Sequence, residues 1–314
     1  MSLRKIVRHE TILAVLLVLA LVASANLSDR FFTVDNLLNQ GRMMTEAGII
    51  AVAMTFIIVS GGIDLSVGST LGLSAIVLGM AWKDAGLPLP LAMLLAVVVG
   101  GICGLLNGYI IIKSKMPPMI ATLGTLALYR GLAEGLSQAR SVRGYPEWFY
   151  TLGQGEVGGI PTQLWLLAAI AIAGAIVLAF TTFGRVTYAI GSNETAGRFS
   201  GMPVERAKLL IYTFSGLMAG LAATIFVSRV STTRSDMGTG IEMDVISAVV
   251  LGGTSIFGGR GTMTGTLLGL VLIQTLKNGL TLAGIKGDGT IIVIGSILIL
   301  TILGSNLFDR LRQS

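Results

Sequence analysis

A carboxylate, Asp64, lies between two long apolar runs of this chain. Residues 59–70 read VSGGIDLSVGST, and long apolar runs precede and follow them. Gly61 and Gly62 can end a helix, because glycine adopts left-handed backbone angles. Asp64 or Ser66 can then cap the next helix by accepting its free amide hydrogens. Two roles are open for Asp64: a helix cap at a tight turn, or a group that contacts or gates a passing solute.

Other polar side chains recur inside the apolar runs. Thr122, Thr125 and Tyr129 are spaced so that they share one face of a helix. Three amide side chains lie within or at the ends of other apolar runs. Such groups can line a path for a ligand with many hydroxyls, or they can join neighbouring helices by hydrogen bonds. The candidate substrate path consists of Asp64, Asn107, Thr122, Thr125, Tyr129, Gln274 and Asn278.

The Gly-rich segment LGGTSIFGGRGTMTG, residues 251–265, looks at first like a phosphate-binding loop. The pattern G-x-x-x-x-G-K-[ST] is not met, because Gly258 is followed by Gly259 and Arg260. The sequence also has no G-x-S-x-G elbow and no His/Cys cluster with metal-ligand spacing, and its single cysteine, Cys103, excludes a disulfide framework. We therefore expect a chain that is not an enzyme, holds no metal or cofactor and does not bind ATP by itself.

The composition is that of a protein whose main solvent is lipid. Of the 314 residues 53% are hydrophobic and 12% are charged, with a mean hydropathy of +0.82, whereas soluble domains carry about 25% charged residues. The 42 glycines suit membrane helices, because small residues let such helices approach closely. The pI of 9.7 does not indicate nucleic-acid binding, because the basic residues concentrate at loop ends. We predict an all-α polytopic membrane protein.

Apolar runs define about ten candidate transmembrane helices. A straight span needs about 20 residues, and several runs are shorter, so we expect some tilted or broken helices. The N-terminal run also has features of a signal peptide. We interpret it as a first transmembrane helix, because the rest of the chain is also membrane-embedded. The candidate spans are residues 11–25, 45–60, 66–82, 89–112, 118–137, 162–181, 208–228, 244–257, 263–280 and 289–305.

The basic residues set the expected orientation. With ten spans and the N-terminus in the cytoplasm, Lys and Arg near the helix ends concentrate on the cytoplasmic side, and both termini lie there. Nine spans would place either the segment 182–207 or the C-terminal DRLRQS outside. The outside loops are 138–161 and 229–243. None of these segments is long enough to be a soluble domain, so we treat residues 1–314 as one membrane domain.

Small-residue patterns and a weak internal repeat indicate how the helices pack. GSTLGL at 68–73 resembles GTLLGL at 265–270, and each follows a Gly-rich break. An Asn-Gly pair follows later in each half, at 107–108 and 278–279. These matches suggest a duplicated core around a central path, a common transporter plan. The predicted helix-packing patterns are Gly100/Gly104/Gly108, Gly131/Gly135, Gly216/Gly220 and Gly261/Gly265/Gly269.

Four longer segments resemble one known family over nearly the whole chain. They look like the membrane permease of ribose-type ABC sugar importers. Several long matches in the right order make the resemblance specific, as a lone GxxxG would not. The segments are SGGIDLSVGS (60–69), IATLGTLALYRG (120–131), YAIGSNETAGRFSGM (188–202) and GTGIEMDVISAVVLGGTSIFGGRGTMTGTLLG (238–269).

The resemblance implies that the chain lies in the bacterial cytoplasmic membrane and works with several partners. In that family two permease chains, alike or paralogous, form the channel, and two ATP-binding domains from another gene use ATP and Mg in the cytoplasm. A soluble binding protein delivers the solute from outside. Loop 229–243 is a mixed-charge surface suited to that transient partner. Family members carry ribose, xylose, arabinose, galactose, rhamnose or the autoinducer-2 signal, and the motifs do not choose among them.

The resemblance also identifies 182–207 as the segment that couples the permease to the ATPase. From the residues alone, Asn193 can cap a short helix that begins at Glu194. Thr195 departs from the EAA pattern of other importers, which leaves the individual contacts open. The implied coupling residues are Gly191, Asn193, Glu194, Ala196, Gly197 and Gly201.

Two rival functions differ from an ABC importer in their energy source. In an ion-coupled secondary transporter Asp64 would carry a proton, and broken helices with repeats suit that class too. A channel would show passive flux that depends on neither ATP nor an ion gradient. The long resemblance favours the importer permease.

Overall fold

The computed structural model describes residues 9–285 and, beyond them, residues 287, 289–290, 292–293 and 295–296. Within these residues the elements are almost all helical, which confirms the predicted all-α class. The helices are α1 (His9–Leu27), α2 (Val34–Val59), α3 (Val67–Lys83), α4 (Leu89–Ser114), α5 (Pro118–Ser137), α6 (Glu147–Gln154), α7 (Thr162–Phe180), α8 (Thr182–Ser192), α9 (Glu194–Phe199), α10 (Val204–Val230), α11 (Ile241–Leu251) and α12 (Met263–Leu282).

Helix α10 runs from one end of the bundle to the other. It has 27 residues, which corresponds to about 40 Å of length at 1.5 Å per residue. Near its start Lys208 pairs with Glu194 of α9, and near its last turn Ser228 accepts a hydrogen bond from the amide of Gly153 in α6. We call these regions the α9 end and the α6 end.

Two short ribbons tie the loops together at the α6 end. Strand β1 (Val142–Arg143) pairs antiparallel with β4 (Thr232–Thr233), and β2 (Glu156–Val157) pairs with β3 (Ile160–Pro161). Both loops that the sequence assigned to the outside therefore contain regular structure and are held against the helices.

Glycine faces bring α4 and α10 into backbone contact. A Cβ added at Gly104 would lie 2.1 Å from the carbonyl oxygen of Tyr212, and one at Gly216 would lie 2.0 Å from that of Gly100. Both distances are far shorter than van der Waals contact, so any larger residue would push the helices apart. The predicted packing role of these glycines is confirmed.

The remaining glycine patterns behave differently from one another. A Cβ at Gly269 of α12 would lie 2.2 Å from the carbonyl oxygen of Ala248 in α11, so this pattern also packs two helices. At Gly131 and Gly135 of α5 an added Cβ would meet nothing within 4 Å. That face of α5 is open in the part of the chain that the structure describes.

The helix lengths agree with a polytopic membrane protein that contains broken helices. Among the described residues α2, α4, α7 and α10 are long and apolar enough to cross a membrane, and α3 and residues 13–27 of α1 are shorter apolar helices. Helix α11 has 11 residues and ends at Leu251, whereas we predicted a span to residue 257. Gly253, with φ +88°, ends that helix early. The predicted span 289–305 falls largely outside the described residues.

Helix α1 packs as part of the bundle. Leu13 is buried, and a Cβ at Gly279 of α12 would lie 2.3 Å from the hydroxyl oxygen of Ser24. This close fit favours a retained transmembrane helix over a cleaved signal peptide.

Candidate functional site

The first break in the bundle begins where α2 ends at Val59. Gly61 has φ +81°, and its amide donates to the carbonyl of Ile58 at 2.9 Å. The amide of Gly62 donates to the carbonyl of Ile57 at 2.9 Å. This pair of bonds is the Schellman arrangement, which ends a helix at a left-handed glycine. The predicted role of the two glycines is confirmed.

Asp64 accepts hydrogen bonds within the turn that leads into α3, whose N-cap residue is Ser66. Its Oδ1 accepts hydrogen bonds from the amide of Ser66 at 2.9 Å and from the Ser66 hydroxyl at 2.7 Å. Its Oδ2 lies 3.4 Å from the hydroxyl of Ser215 on α10. The carboxyl group is 2% exposed, and no basic side chain among the described residues forms an ion pair with it.

Two further predicted residues extend this hydrogen-bond network. Asn107 of α4 donates from Nδ2 to the Ser66 hydroxyl at 2.7 Å. The hydroxyl of Tyr129 on α5 lies 3.0 Å from Asn107 Oδ1 and 2.9 Å from the carbonyl oxygen of Cys103. The network therefore joins the break to α4, α5 and α10 through buried side chains.

The threonines of α5 hold the backbone of the break. The Thr122 hydroxyl accepts from the amide of Leu65 at 3.2 Å and lies 3.2 Å from the carbonyl oxygen of Ile63. Thr125 lies one turn further along and bonds back to the carbonyl of Thr122. Thr122, Thr125 and Tyr129 share the buried face of α5, as their spacing predicts.

This arrangement fits a structural role for Asp64 in the turn before α3. Its polar neighbours are engaged with protein, so a solute could reach the carboxyl group only if the break opened. One hydroxyl stands apart: Tyr212 Oη has no hydrogen-bond partner among the described residues. It lies beside the break, because a Cβ at Gly62 would come within 2.5 Å of it.

The predicted coupling segment folds into two short helices. Asn193 Oδ1 accepts from the amide of Ala196 at 2.9 Å, which confirms the predicted cap of a helix beginning at Glu194. Gly197 is buried, whereas Phe199 at the end of α9 is 90% exposed. Helix α9 therefore presents an aromatic side chain away from the bundle.

Charge pairs hold α9 against the start of α10. Glu194 pairs with Lys208 at 2.5 Å and with Arg198 at 3.1 Å, and Arg198 also reaches Glu205 at 3.3 Å. Burial by itself would raise the pKa of Glu194, but its bonds to Lys208 and Arg198 outweigh this and lower it.

Three segments meet at a glycine junction next to α9. A Cβ at Gly191 of α8 would lie 1.8 Å from the carbonyl oxygen of Val59 and 2.5 Å from the amide nitrogen of Gly259. The Gly259 amide donates to the Val59 carbonyl at 2.9 Å. A Cβ at Gly258 would lie 2.9 Å from the Cα atoms of both Gly61 and Gly191. The predicted coupling segment thus contacts both Gly-rich breaks, the one after α2 and the one after α11, directly.

A cavity opens at the opposite, α6 end of the bundle. Its volume is about 400 Å³, within the usual range of ligand pockets. Ion pairs line it: Glu46 of α2 with Arg229 of α10 at 2.6 Å, and Asp244 of α11 with Lys277 of α12 at 2.5 Å. Gln274 of α12 also faces this space.

The predicted path residues fall into three places. Asp64, Asn107, Thr122, Thr125 and Tyr129 surround the first break, and Gln274 lines the α6-end cavity. Asn278 lies elsewhere, where its Oδ1 accepts from Asn36 at 3.0 Å and from Gln40 at 3.1 Å. The set does not form one continuous path in this conformation.

Sequence reasoning missed Glu46 and Lys277. Each is an ionisable residue inside an apolar run, which marks a functional candidate, so the signal was present. Ser66 was considered only as a helix cap, and Ser215 gave no comparable signal, because a serine in a membrane helix is most often a packing residue. In the described residues no group of three His, Cys, Asp or Glu side chains could hold a metal ion.

A family profile matches most of the chain. The family described as "Branched-chain amino acid transport system / permease component" matches residues 36–302.

Two curated relatives align over almost the full length. The Escherichia coli K12 protein named "Autoinducer 2 import system permease protein LsrD" is 36% identical over 310 residues, covering 97% of this chain and 94% of the relative. The Escherichia coli K12 protein named "Ribose import permease protein RbsC" is 37% identical over 310 residues, covering 96% and 94%.

Proposed function

The chain belongs to the family of transport-system permease components and is a membrane-spanning permease of an importer rather than an enzyme; we propose that it carries autoinducer 2 or a sugar such as ribose into the cell. The full-length similarity to an autoinducer-2 permease and a ribose permease supports this class of solute over the branched-chain amino acids of the family description.

We propose that a separate ATP-binding subunit docks at the α9 end. That subunit would bind ATP and Mg, for which this sequence has no binding motif. The segment 182–207 offers a capped helix with an exposed aromatic tip, Phe199, and paired charges around Glu194. A rigid protrusion of this kind suits a groove on a soluble partner, because a preformed helix loses little conformational freedom on docking.

The glycine junction offers a route from that subunit to the breaks. Gly191 of α8 lies against Val59 and Gly259, and the Tyr188 hydroxyl donates to the carbonyl of Gly261 at 2.6 Å. Because the contacts of Gly191 are backbone on backbone, a displacement of α8 cannot be absorbed there by side-chain rotation. It would be passed to the ends of α2 and α11, which flank the two breaks.

Two further partners complete the proposal. A soluble binding protein would dock on the α6 end, where loops 138–161 and 229–243 are exposed in part and carry the ribbons. A second permease chain, identical or paralogous, would pack on the open face of α5 around Gly131 and Gly135, where the described residues leave room for close approach.

The proposed orientation puts the α9 end in the cytoplasm of a bacterium and the α6 end outside its inner membrane. The distribution of basic residues supports this orientation. The C-terminus, expected in the cytoplasm with the N-terminus, lies outside the described residues.

Reconstitution tests the proposal. The permease is placed in proteoliposomes with the ATP-binding subunit and the binding protein encoded beside it, and uptake of autoinducer 2 and D-ribose is measured with and without ATP. We expect ATP-dependent uptake of one of them. Uptake by the permease alone, driven by a proton gradient, would instead establish a secondary transporter.

A pair of variants at Gly197 tests the coupling assignment. A Cβ at Gly197 would meet only ordinary contacts, with Met202 and Val204 at 3.8 Å, so Gly197→Ala should transport normally. Gly197→Phe cannot fit that site and should displace α9. We expect it to assemble but to lose most ATP-dependent uptake. Unchanged uptake in the assembled Gly197→Phe transporter would remove the coupling role of this segment.

A further inference from the structure

The α6-end cavity is built from the ends of several elements. Helices α2, α10, α11 and α12 form its walls, and the loop 232–239 also lines it. Arg130 of α5 fixes this loop by donating to the carbonyl oxygens of Ser235 and Met237. The cavity therefore has a defined shape held by side chains outside its own lining.

The charges that line the cavity are balanced. Three carboxylates and three basic side chains face it, and each finds a partner of opposite sign. A charged solute would meet no unpaired counter-charge here and would have to break an ion pair to gain one. The pairs are Glu46–Arg229, Asp244–Lys277 and Arg234–Asp236.

Paired charges still offer hydrogen bonds to an uncharged solute. A carboxylate has about four lone-pair directions and a guanidinium has five N–H donors, so an ion pair leaves several of them free. Gln274, which makes no hydrogen bond to the residues that the structure describes, adds both a donor and an acceptor. A molecule with several hydroxyls can use such groups without separating any pair.

The rest of the lining is apolar. Phe226, Leu270 and Ile273 provide a surface against which the C–H face of a sugar ring can pack. A cavity of about 400 Å³ has room for one small cyclic solute together with water. The mixture of paired charges, one free amide and an apolar wall is selective for uncharged polar molecules.

We propose that the α6-end cavity is a transit site for a small, uncharged, polyhydroxylated solute, with Gln274 and the Glu46–Arg229 pair as its hydrogen-bonding groups. This inference rests on the proposed importer function, because it places the transported solute within the permease. The site lies nearer the α6 end of α10 than the Asp64 network, which meets α10 at Ser215 near the helix midpoint.

Cysteine labelling tests this site. Cys103 is the single cysteine of the chain and is buried, so Cys103→Ala gives a background without thiols. Gln274→Cys is introduced into it, and spheroplasts supplied with the ATPase and the binding protein are treated with a membrane-impermeant cationic methanethiosulfonate. We expect labelling to lower ATP-dependent uptake at least tenfold, and Gln274→Leu to lower it comparably without a reagent.

Thr281→Cys in the same background is the matched control. Thr281 is exposed near the end of the same helix and does not line the cavity. We expect this variant to label without loss of uptake. The probe is whichever of autoinducer 2 and D-ribose the wild-type transporter takes up, and L-leucine is the zwitterionic comparison.

The outcomes separate the two proposals. If the wild type takes up neither probe, or if neither cysteine variant labels from outside, the proposed function or orientation is wrong and the site falls with it. If the wild type transports and Gln274→Cys labels but uptake persists, and Gln274→Leu also transports normally, the transit site is overturned while the importer function stands. Uptake of L-leucine in preference to both probes would overturn the proposed solute class.

Discussion

Polar side chains are arranged differently along the two halves of α10. Between the α9 end and the midpoint of α10, Asp64 and its neighbours are bonded to one another and almost fully buried, and glycines seal the surrounding backbone. At the α6 end, ion pairs such as Glu46–Arg229 face a cavity of about 400 Å³. One end is closed by backbone contact, and the other is held open by side chains.

This difference is what alternating access requires of a single conformation. A transporter must close one side of its path while the other is accessible. The closed side here depends on contacts that tolerate no added atom, and the accessible side depends on charges that water can reach. The two ends should therefore respond differently to substitution, and four pairs of variants measure that difference.

Gly191→Ala should have the largest effect. Its Cβ would overlap the Val59 carbonyl oxygen at 1.8 Å, and neither that backbone nor Gly259 can rotate away. We expect a loss of at least 3 kcal/mol, the upper part of the usual cost of overpacking, together with loss of uptake. Thermal unfolding in lipid nanodiscs gives the stability.

Gly124→Ala is the control for this substitution. Its Cβ would meet nothing within 4 Å, and alanine is about 1 kcal/mol more favourable than glycine inside a helix. It should be as stable as the wild type or slightly more so. Equal stability of the two variants would show that the glycine junction is not closely packed.

Asp64→Ala should come next. It leaves the amide and hydroxyl of Ser66 without their acceptor in a buried site, which costs about 2 to 3 kcal/mol. Asp64→Asn keeps an oxygen at the same place and should cost about 1 kcal/mol or less. The pair is compared by thermal unfolding. If Asp64→Asn is as damaging as Asp64→Ala, the negative charge itself is needed and the hydrogen-bond explanation fails.

The cavity pair Glu46–Arg229 should be less sensitive than the network around Asp64. The side chain of Glu46 is 3% exposed but that of Arg229 is 22% exposed, so water offsets part of the loss when the carboxylate is removed. We expect Glu46→Ala to cost about 2 kcal/mol, below the about 3 to 5 kcal/mol of fully buried pairs.

Asp236→Ala provides the comparison within the same cavity. Its pair with Arg234 is exposed on both sides, at 59% and 58%, and such pairs contribute about 1 kcal/mol or less. If both variants lose the same stability, burial does not distinguish the ion pairs of the cavity. Thermal unfolding of the two variants side by side decides this.

Local sequence patterns predicted the elements and several of their details. The Gly61–Gly62 break and the Asn193 cap follow from backbone chemistry that acts over a few residues, so they could be recognised without a fold. The glycine faces of α4 and α10 were visible because their spacing is fixed by the helix. Most predicted span boundaries in the described residues also followed to within a few residues. The exceptions are α2, which begins at Val34 and not at residue 45, and α11, which Gly253 ends early.

The grouping of the polar residues could not be predicted in the same way. Gln274 and Asn278 are one turn apart on α12, yet one faces the cavity and the other bonds to Asn36 and Gln40. Which neighbour each side chain meets depends on how α12 is rotated against α2 and α10. That rotation is set by long-range packing, which no local pattern encodes.

Substitution of the charges around α9 should cause the smallest loss of stability. It therefore compares exposed charges with the buried network around Asp64. Glu194→Gln weakens two ion pairs of a residue whose side chain is 38% exposed, so we expect a loss below about 1 kcal/mol. Lys208 and Arg198 lower the pKa of Glu194 in spite of its partial burial. A carboxylate with a lowered pKa stabilises the fold above its ordinary value of 4.5, and this contribution is lost as the pH falls through the folded-state pKa. The difference in stability between wild type and Glu194→Gln should therefore be constant near neutral pH and shrink below about pH 4.5.

Glu205→Gln, with a side chain 62% exposed and a single contact at 3.3 Å, should change stability less at every pH. If Glu194→Gln costs as much as Asp64→Ala, or if its effect is independent of pH, then the exposed charges hold the α9 end together as firmly as the buried network does, and the contrast between surface and interior at that end disappears.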